Sequence, residues 1–524
     1  MLNKIRLYFH TLRYLKLTQF KYRIYYFIRN KFRNKASFSY KTKSLPSSFP
    51  HLKLEKSLAA TKSIQYSDDT FSFLNLKKEF KSGINWNDDI HGKLWTYNLN
   101  YFEFLHTPTM TKEEGKVLIL DFVNAIEHSK DGLEPYPISL RVIHWVKFLT
   151  YHNIKDKEID FSLYQQLWIL VDKREYHILG NHLLENSFGL LFGAYYFNDE
   201  KLYQLTKKIL IKELKEQILG DGAHFELSPM YHQLMLYRVL DAYNLVKNNS
   251  HFNQELLPFF REKAELMLGW LEQITFNNGD IPLLNDSAFN INPTTKEIFS
   301  YAKQLNLGTK RRPLKESGYR KIVRPDYELI ADIGHIGPDY LPGHAHSDTF
   351  NFVLNVNNVS CIVDTGISTY NPTQRRQIER STASHNTVQI GDYEQSEVWS
   401  SFRVARRTYP YIKQDDPRTI EASLKYATTS ARHHRKFEFT EKQIFITDEI
   451  TGNQIGKAYL HFHPSIKVEL LNDTILTSFG KVLIENATRV EIVDYEYSPE
   501  FNRLITGKKA IISFSTFIKT TIQI

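Results

Sequence analysis

From about residue 95 to 310 the apolar positions recur with the period of a helix. In NHLLENSFGLLFGAYYF they fall at Leu184, Phe188, Leu191 and Tyr195, and in MYHQLMLYRVLDAYNLV at Met235, Val239, Ala242, Tyr243 and Val246. Each set forms a stripe on one helix face. Turn-forming stretches such as GDG and NNGD separate these segments. From about residue 326 the period shortens to two. TFNFVLNVNNVSCIVDTG alternates through Phe350, Phe352, Leu354 and Val356, then Val359, Cys361 and Val363, and Asn357-Asn358 predicts a tight hairpin turn. A long helical half followed by a long β half predicts a multidomain α+β chain, with a helical domain and a β-sandwich, rather than an interleaved sheet. No repeat of solenoid length is evident. The expected division is a basic, aromatic helical segment over 1–45, a helical domain over 46–318 and an antiparallel β domain over 319–524, with Pro46–Pro50 as a linker.

Length agrees with this division, because 524 residues exceed one ordinary hydrophobic core. Charge adds a feature that the apolar pattern does not show. The net charge is +9, yet residues 1–45 alone hold twelve Lys and Arg and no Asp or Glu, so the rest is close to −3. Basic residues interrupt this segment every few positions, so it has no apolar run of signal-peptide length. That absence predicts a cytoplasmic protein, with a periplasmic or secreted location as the alternative. No stretch approaches the roughly 18 apolar residues of a membrane span. The segment predicts one or two amphipathic helices packed on the body, with peripheral contact to an anionic membrane as the alternative. No nucleic-acid-binding motif accompanies the charge, and no nucleic-acid partner is expected. The lone cysteine, Cys361, excludes an intrachain disulfide and a cysteine metal site. The 14% aromatic content suits a sugar-binding cleft and a large core equally.

Reactive side chains gather in a few short stretches. GNHLLEN supplies Asn181, His182 and Glu185, the last two on one helix face. GDGAHFELSPMYHQ supplies Asp221, His224, Glu226, Tyr231 and His232, and NNGDIPLLNDS supplies Asp280 and Asp286. In the β half, GHAHSD carries His344, His346 and Asp348, VDTG carries Asp364, and SHNTV carries His385 and Asn386. Singly, each is as well explained by a helix cap or a solvated charge.

In their order and approximate spacing, GNHLLEN, DGAHFELSPMYH, GHAHSDTFNFVL, VDTG and ASHNTVQIGDYEQ resemble the heparinase II/III-like polysaccharide lyases, from about Trp86 to the C-terminus. The resemblance implies an incomplete (α/α) toroid followed by an antiparallel β-sandwich, with the active site between them. It implies β-elimination on an anionic, uronic-acid-containing polysaccharide: a glycosaminoglycan such as heparan sulfate, hyaluronan or chondroitin, alginate, or a bacterial exopolysaccharide. That chemistry needs groups that hold the uronate carboxylate, a base for the C5 proton and an acid for the leaving oxygen. The resemblance places Asn181 and His182 on the carboxylate, Tyr231 as acid and His344 as base. Tyr231 fits a proton-transfer role if nearby cations lower its pKa. Glu185, Arg141 and Tyr370 are the expected substrate contacts, Glu185 alternatively orienting His182.

The resemblance also assigns His346, Asp364 and His385 to one divalent metal of mainly structural role, zinc first and manganese as the alternative. Asp348 is a competing ligand. His344 and His346 are expected to alternate along a strand and so to face opposite ways. Three other classes are weighed. A metallo-β-lactamase is disfavoured because Thr349 follows Asp348 where that fold carries a histidine. A glycoside hydrolase would use Glu226 with Asp280 or Asp286. A non-catalytic glycan-binding protein is disfavoured because acid, base and carboxylate-holding candidates are all present.

Overall fold

Helical periodicity becomes helix along most of the first half. A computed structural model describes residues 2–32, 45–46 and 49–524; of the expected linker, Ser47 and Ser48 lie outside the described residues. Among the described residues eleven α-helices precede the β half: α1 (Leu2–Leu12), α2 (Leu17–Phe32), α3 (Lys93–Tyr101), α4 (Lys112–Ala125), α5 (Pro135–Tyr151), α6 (Lys157–Lys173), α7 (Gly180–Phe197), α8 (Glu200–Gln217), α9 (Pro229–Asn248), α10 (Leu256–Ile274) and α11 (Thr295–Gln304). Among the described residues, none is long and apolar enough to cross a membrane. From α3 onward the helices form the incomplete toroid. The stripes predicted on α7 and α9 are buried, but both helices are also apolar and buried around most of their circumference, as central helices are.

Short strands at Gln65–Ser67, Thr70–Phe73 and Leu76–Glu79 form a small antiparallel sheet within the stretch expected to be a helical domain. Phe71 and Phe73 alternate inward from it onto Trp95 and Phe104.

The β half begins at Tyr319–Val323 and is antiparallel throughout its three larger sheets. An eight-stranded sheet runs from Tyr411–Asp415 at one edge to Val468–Leu471 at the other. Beside it lie two four-stranded sheets, one of them ending in the hairpin Phe352–Val356 to Val359–Ile362, and a small two-stranded sheet of Val398–Trp399 and Arg403–Val404. Asn357 and Asn358 turn that hairpin with φ of 48° and 64°, the left-handed pair that a two-residue turn requires.

Strand Phe352–Val356 is buried on both faces. Phe352, Leu354 and Val356 enter the β core, whereas Val353 enters the core of the helical half together with Tyr319, Ile330 and Ile367. The sheet is thus a shared wall, apolar on both sides, and the period of two separates one core from the other.

Candidate active site

A cavity of about 490 Å³ opens between the helical and β halves, lined in part by Asn181, His182, Tyr231, His344 and Tyr370. Five residues predicted from the sequence therefore meet in one place. Asn181 and His182 stand in the first turn of α7. The chain enters that turn through two left-handed residues, Leu179 at φ 67° and Gly180 at φ 58°. A Cβ on Gly180 would lie 2.2 Å from Leu341 Cδ2, so glycine serves both the backbone and the close approach of the β half. Tyr231 occupies the first turn of α9, where Ser228 caps the helix by accepting from the Tyr231 N–H at 3.2 Å. Two helix N-termini thus face the cavity, and their partial positive charge favours an anion there.

The electrostatics centre on Asp286, which is fully buried. Its carboxylate accepts from His344 Nδ1 at 2.8 Å, His346 Nε2 at 2.8 Å and both terminal nitrogens of Arg376 at 2.5 and 2.7 Å. Burial alone would raise its pKa, but Arg376 and the two imidazoles prevail and hold it well below the usual carboxylate range. An ionised Asp286 fixes the proton of His344 on Nδ1, which leaves the Nε2 lone pair free. The His344 ring stacks on Tyr231 with centroids 3.9 Å apart. The Tyr231 hydroxyl lies 3.3 Å from that of Tyr370. Burial, reinforced by Tyr370, raises the Tyr231 pKa well above its ordinary value. The expectation that cations lower it is therefore corrected: the resting phenol keeps its proton.

His182 bonds through Nδ1 to Glu175 Oε1 at 3.0 Å, and Asn186 fastens the other Glu175 oxygen at 3.0 Å. Burial lowers the His182 pKa, but Glu175 more than offsets it, and the net direction is upward. The Asn181 amide donates to Glu226 Oε2 at 3.0 Å. Burial keeps the Glu226 pKa raised despite the nearby imidazole of His344.

Two predicted substrate contacts are placed elsewhere. Arg141 is fully buried and spends its guanidinium on Gln166, Asn100 O and Gly132 O at 2.6–2.9 Å, away from the cavity wall. Glu185 is fully buried against Arg238 at 3.1 Å, and the carboxylate that orients His182 is Glu175. Helical spacing put Glu185 and His182 on one face, but a carboxylate from the loop before α7 reaches the imidazole first. His344 and His346 lie in a loop, not a strand, and both turn toward the same carboxylate rather than in opposite directions.

The remaining candidates are structural. Asp221 accepts from Lys315 N, Ser317 N and Ser317 Oγ. His224 bonds Gln217, and His232 bonds Met267 O and the His224 N–H, with burial pushing its pKa down to about 3. Asn386 staples Phe352 O to Val363 O. The carboxylate pair of a hydrolase is not assembled: Asp286 is taken up by Arg376 and two imidazoles, and Asp280 is on an exposed turn outside the cavity. Glu175, Arg376 and the hub role of Asp286 were not readable, since no local pattern ties them to residues far along the chain.

The proposed metal ligands lie behind the cavity wall. His385 Nδ1 bonds Asp364 Oδ2 at 2.7 Å, and the His346 and His385 rings are 5.3 Å apart. His346 Nδ1 and His385 Nε2 are buried without a hydrogen-bond partner. Burial lowers the His346 pKa to about 4, which keeps it a neutral imidazole able to ligate. The donor types thus suit a divalent metal. Their arrangement does not gather three of them, and among the described residues no group of three or more His, Cys, Asp or Glu is placed to hold an ion.

Comparison with known proteins adds the following. The family description Heparinase II/III N-terminus matches residues 140–307, and Heparinase II/III-like, C-terminal matches 306–523. A heparin-sulfate lyase of Bacteroides stercoris is 23% identical over 341 residues, 58% of this chain and 49% of that protein. A heparin-sulfate lyase of Pedobacter heparinus is 31% identical over 112 residues, 21% of this chain and 17% of that protein. The matched stretch is therefore about half or less of these relatives' length. A crystal structure of heparinase III superposes with a TM-score of 0.68 at 15% identity, covering 93% of this chain and 88% of that one. The heparan sulfate lyase HepC of Pedobacter heparinus gives a TM-score of 0.54 at 16% identity, covering 85% and 79%. At these identities the superpositions establish the fold.

Proposed function

The chain belongs to the heparinase II/III-like family, and from that premise we propose that it cleaves a uronic-acid-containing polysaccharide by β-elimination. The observation that carries this reading is the pair of stacked rings in the cavity: an imidazole whose Nδ1 is held by an ionised Asp286, against a tyrosine that retains its proton. His344 Nε2 takes the C5 proton. The freed electron pair forms the C4=C5 double bond, the C4–O bond breaks, and the leaving oxygen takes the proton of Tyr231. The proton gained by His344 then restores the phenol, by way of solvent or the adjacent ring. Charge on the uronate carboxylate grows as C5–H breaks, and in this reading Asn181, His182 with its raised pKa and the N-terminus of α7 stabilise it. Glu226, whose pKa burial raises, accepts from the Asn181 amide and so orients it.

The names of the curated relatives favour a heparan-type glycosaminoglycan as substrate. The test is incubation with heparan sulfate, hyaluronan, chondroitin and alginate while following ultraviolet absorbance. Elimination generates an absorbing unsaturated product, whereas hydrolysis cleaves without one. Reducing ends that appear with no rise in absorbance would replace this reading with hydrolysis. A single divalent metal at His346, Asp364 and His385 remains part of the proposal on the strength of its donors, with the two unpartnered imidazole nitrogens in its favour. It would brace the wall behind His344, and no step above passes through it.

A further inference from the structure

Helices α1 and α2 lie outside the region matched by the family, and they bridge the two halves beside the cavity. On the β side, the Tyr8 ring packs on Trp399 with centroids 5.0 Å apart, and Trp399 Nε1 donates to Thr11 Oγ1 at 3.1 Å. On the helical side, Lys16 pairs with Glu216, Gln19 donates to Ile178 O at 3.0 Å, and Tyr22 stacks on Tyr176 at 4.6 Å. A second cavity of about 680 Å³ lies against this bridge, lined by Tyr8, Gln19 and Arg23 from the helices and by Lys93, Tyr340 and Arg403 from the body. Leu94, Tyr97, Leu341, Tyr370 and Phe402 line both this cavity and the catalytic one, so the two adjoin.

Two of the cationic side chains that line this second cavity have no carboxylate partner among the described residues. Among the described residues Arg23 has no carboxylate partner. Both guanidinium groups stand exposed at the cavity's rim, and partial desolvation with the positive charge of Arg403 lowers the Arg23 pKa. Arg403 also lacks a carboxylate: it donates to Tyr8 Oη at 3.2 Å and lies over the Tyr8 and Trp399 rings at 5.2 and 4.8 Å. Lys93, by contrast, is paired with Glu134 at 2.8 Å. Two guanidinium groups that repel one another beside a cavity with aromatic walls are suited to an anionic sugar. An acidic group between them relieves the repulsion and accepts planar, charge-assisted hydrogen bonds, and the rings pack on the sugar faces. Each cavity is of a size that holds a ligand of about two sugar units.

We infer that the N-terminal helix pair completes the substrate cleft, and that Arg23 and Arg403 hold a carboxylate or sulfate of the polysaccharide beyond the unit that is cleaved. This rests on the lyase reading. It makes the protein prefer chains long enough to fill both cavities.

The test uses the full chain with Arg23→Gln, Arg403→Gln and the double substitution, each checked for an unchanged melting temperature. Each is assayed on the polymer that the parent cleaves and on the shortest oligosaccharide that it cleaves. Loss of a charged hydrogen-bonding group is expected to lower kcat/KM for the polymer by about 10-fold, mainly through KM. The oligosaccharide is expected to lose a clearly smaller factor, so the preference for length shrinks. Equal losses on both substrates, or no loss on either, would overturn the inference. A parent that eliminates nothing would refute the lyase reading separately. The subsite is then judged by equilibrium affinity for heparan sulfate at low salt: an unchanged affinity in the double variant overturns it, and a weakened one supports it.

Discussion

In the proposed elimination the hydroxyl of Tyr231 bears the chemical step, whereas its ring packs on His344. Tyr231→Phe separates the two. The fold is expected to lose at most about 1 kcal/mol, from the bond to Tyr370, while kcat falls by the roughly 10²–10⁴-fold of a lost general acid. A folded Tyr231→Phe protein with near-parental elimination would remove the residue from the mechanism. His182 predicts a pH dependence. Its raised pKa means that the cation, and with it the proposed hold on the uronate carboxylate, is fully present below the ordinary histidine value near 6.5 and is lost as pH rises through the elevated one. KM is therefore expected to climb on the alkaline side, and His182→Gln to flatten that climb. An identical alkaline limb in the variant would show that another group titrates there. At this scale the sequence showed His182 but not Glu175, because the loop that brings the carboxylate up has no period to read.

At the scale of elements, the site depends on where two helices begin. The sequence marks both starts: Ser228-Pro229 caps and opens α9, and Gly180 opens α7. Gly180→Ala tests how tightly the second start is held. The added methyl meets Leu341 and must adopt a left-handed φ, which together cost about 1–3 kcal/mol. The expected outcome is a lower melting temperature together with reduced kcat, because Asn181 and His182 move with the turn. A variant that melts like the parent and retains full activity would show that the turn relaxes freely. The strand pattern was equally legible. The hairpin at Asn357-Asn358 forms where the residues placed it, because both positions need positive φ and asparagine tolerates it.

For the whole molecule, the question is what ties the loops carrying His346, Asp364 and His385 together. If one metal does so, carefully purified protein is expected to contain about one equivalent, and chelation to lower the melting temperature as well as activity. Protein that is metal-free and insensitive to chelation in both respects would leave the ties to the hydrogen bonds seen here, Asp286 with His346 and Asp364 with His385. The N-terminal helices belong to this scale too. Their expected packing on the body is observed, but their bridging of both halves has no counterpart in their own composition.

The sequence by itself determined the order of helical and β halves, the turn residues, and five of the side chains that meet in the cavity. Those features follow from local periodicity, backbone preference and short motifs, each contained within a few residues. Only the tertiary structure decided which carboxylate serves which histidine. Asp286 sits on a loop of the helical half, yet it collects His344, His346 and Arg376 from the β half. It likewise decided that Arg141 and Glu185 are enclosed, and that strand Phe352–Val356 separates two cores instead of a core and solvent. A period of two states that alternate side chains face opposite ways. What lies on each side is set by chain segments that return from far along the sequence, and no local pattern encodes their arrival.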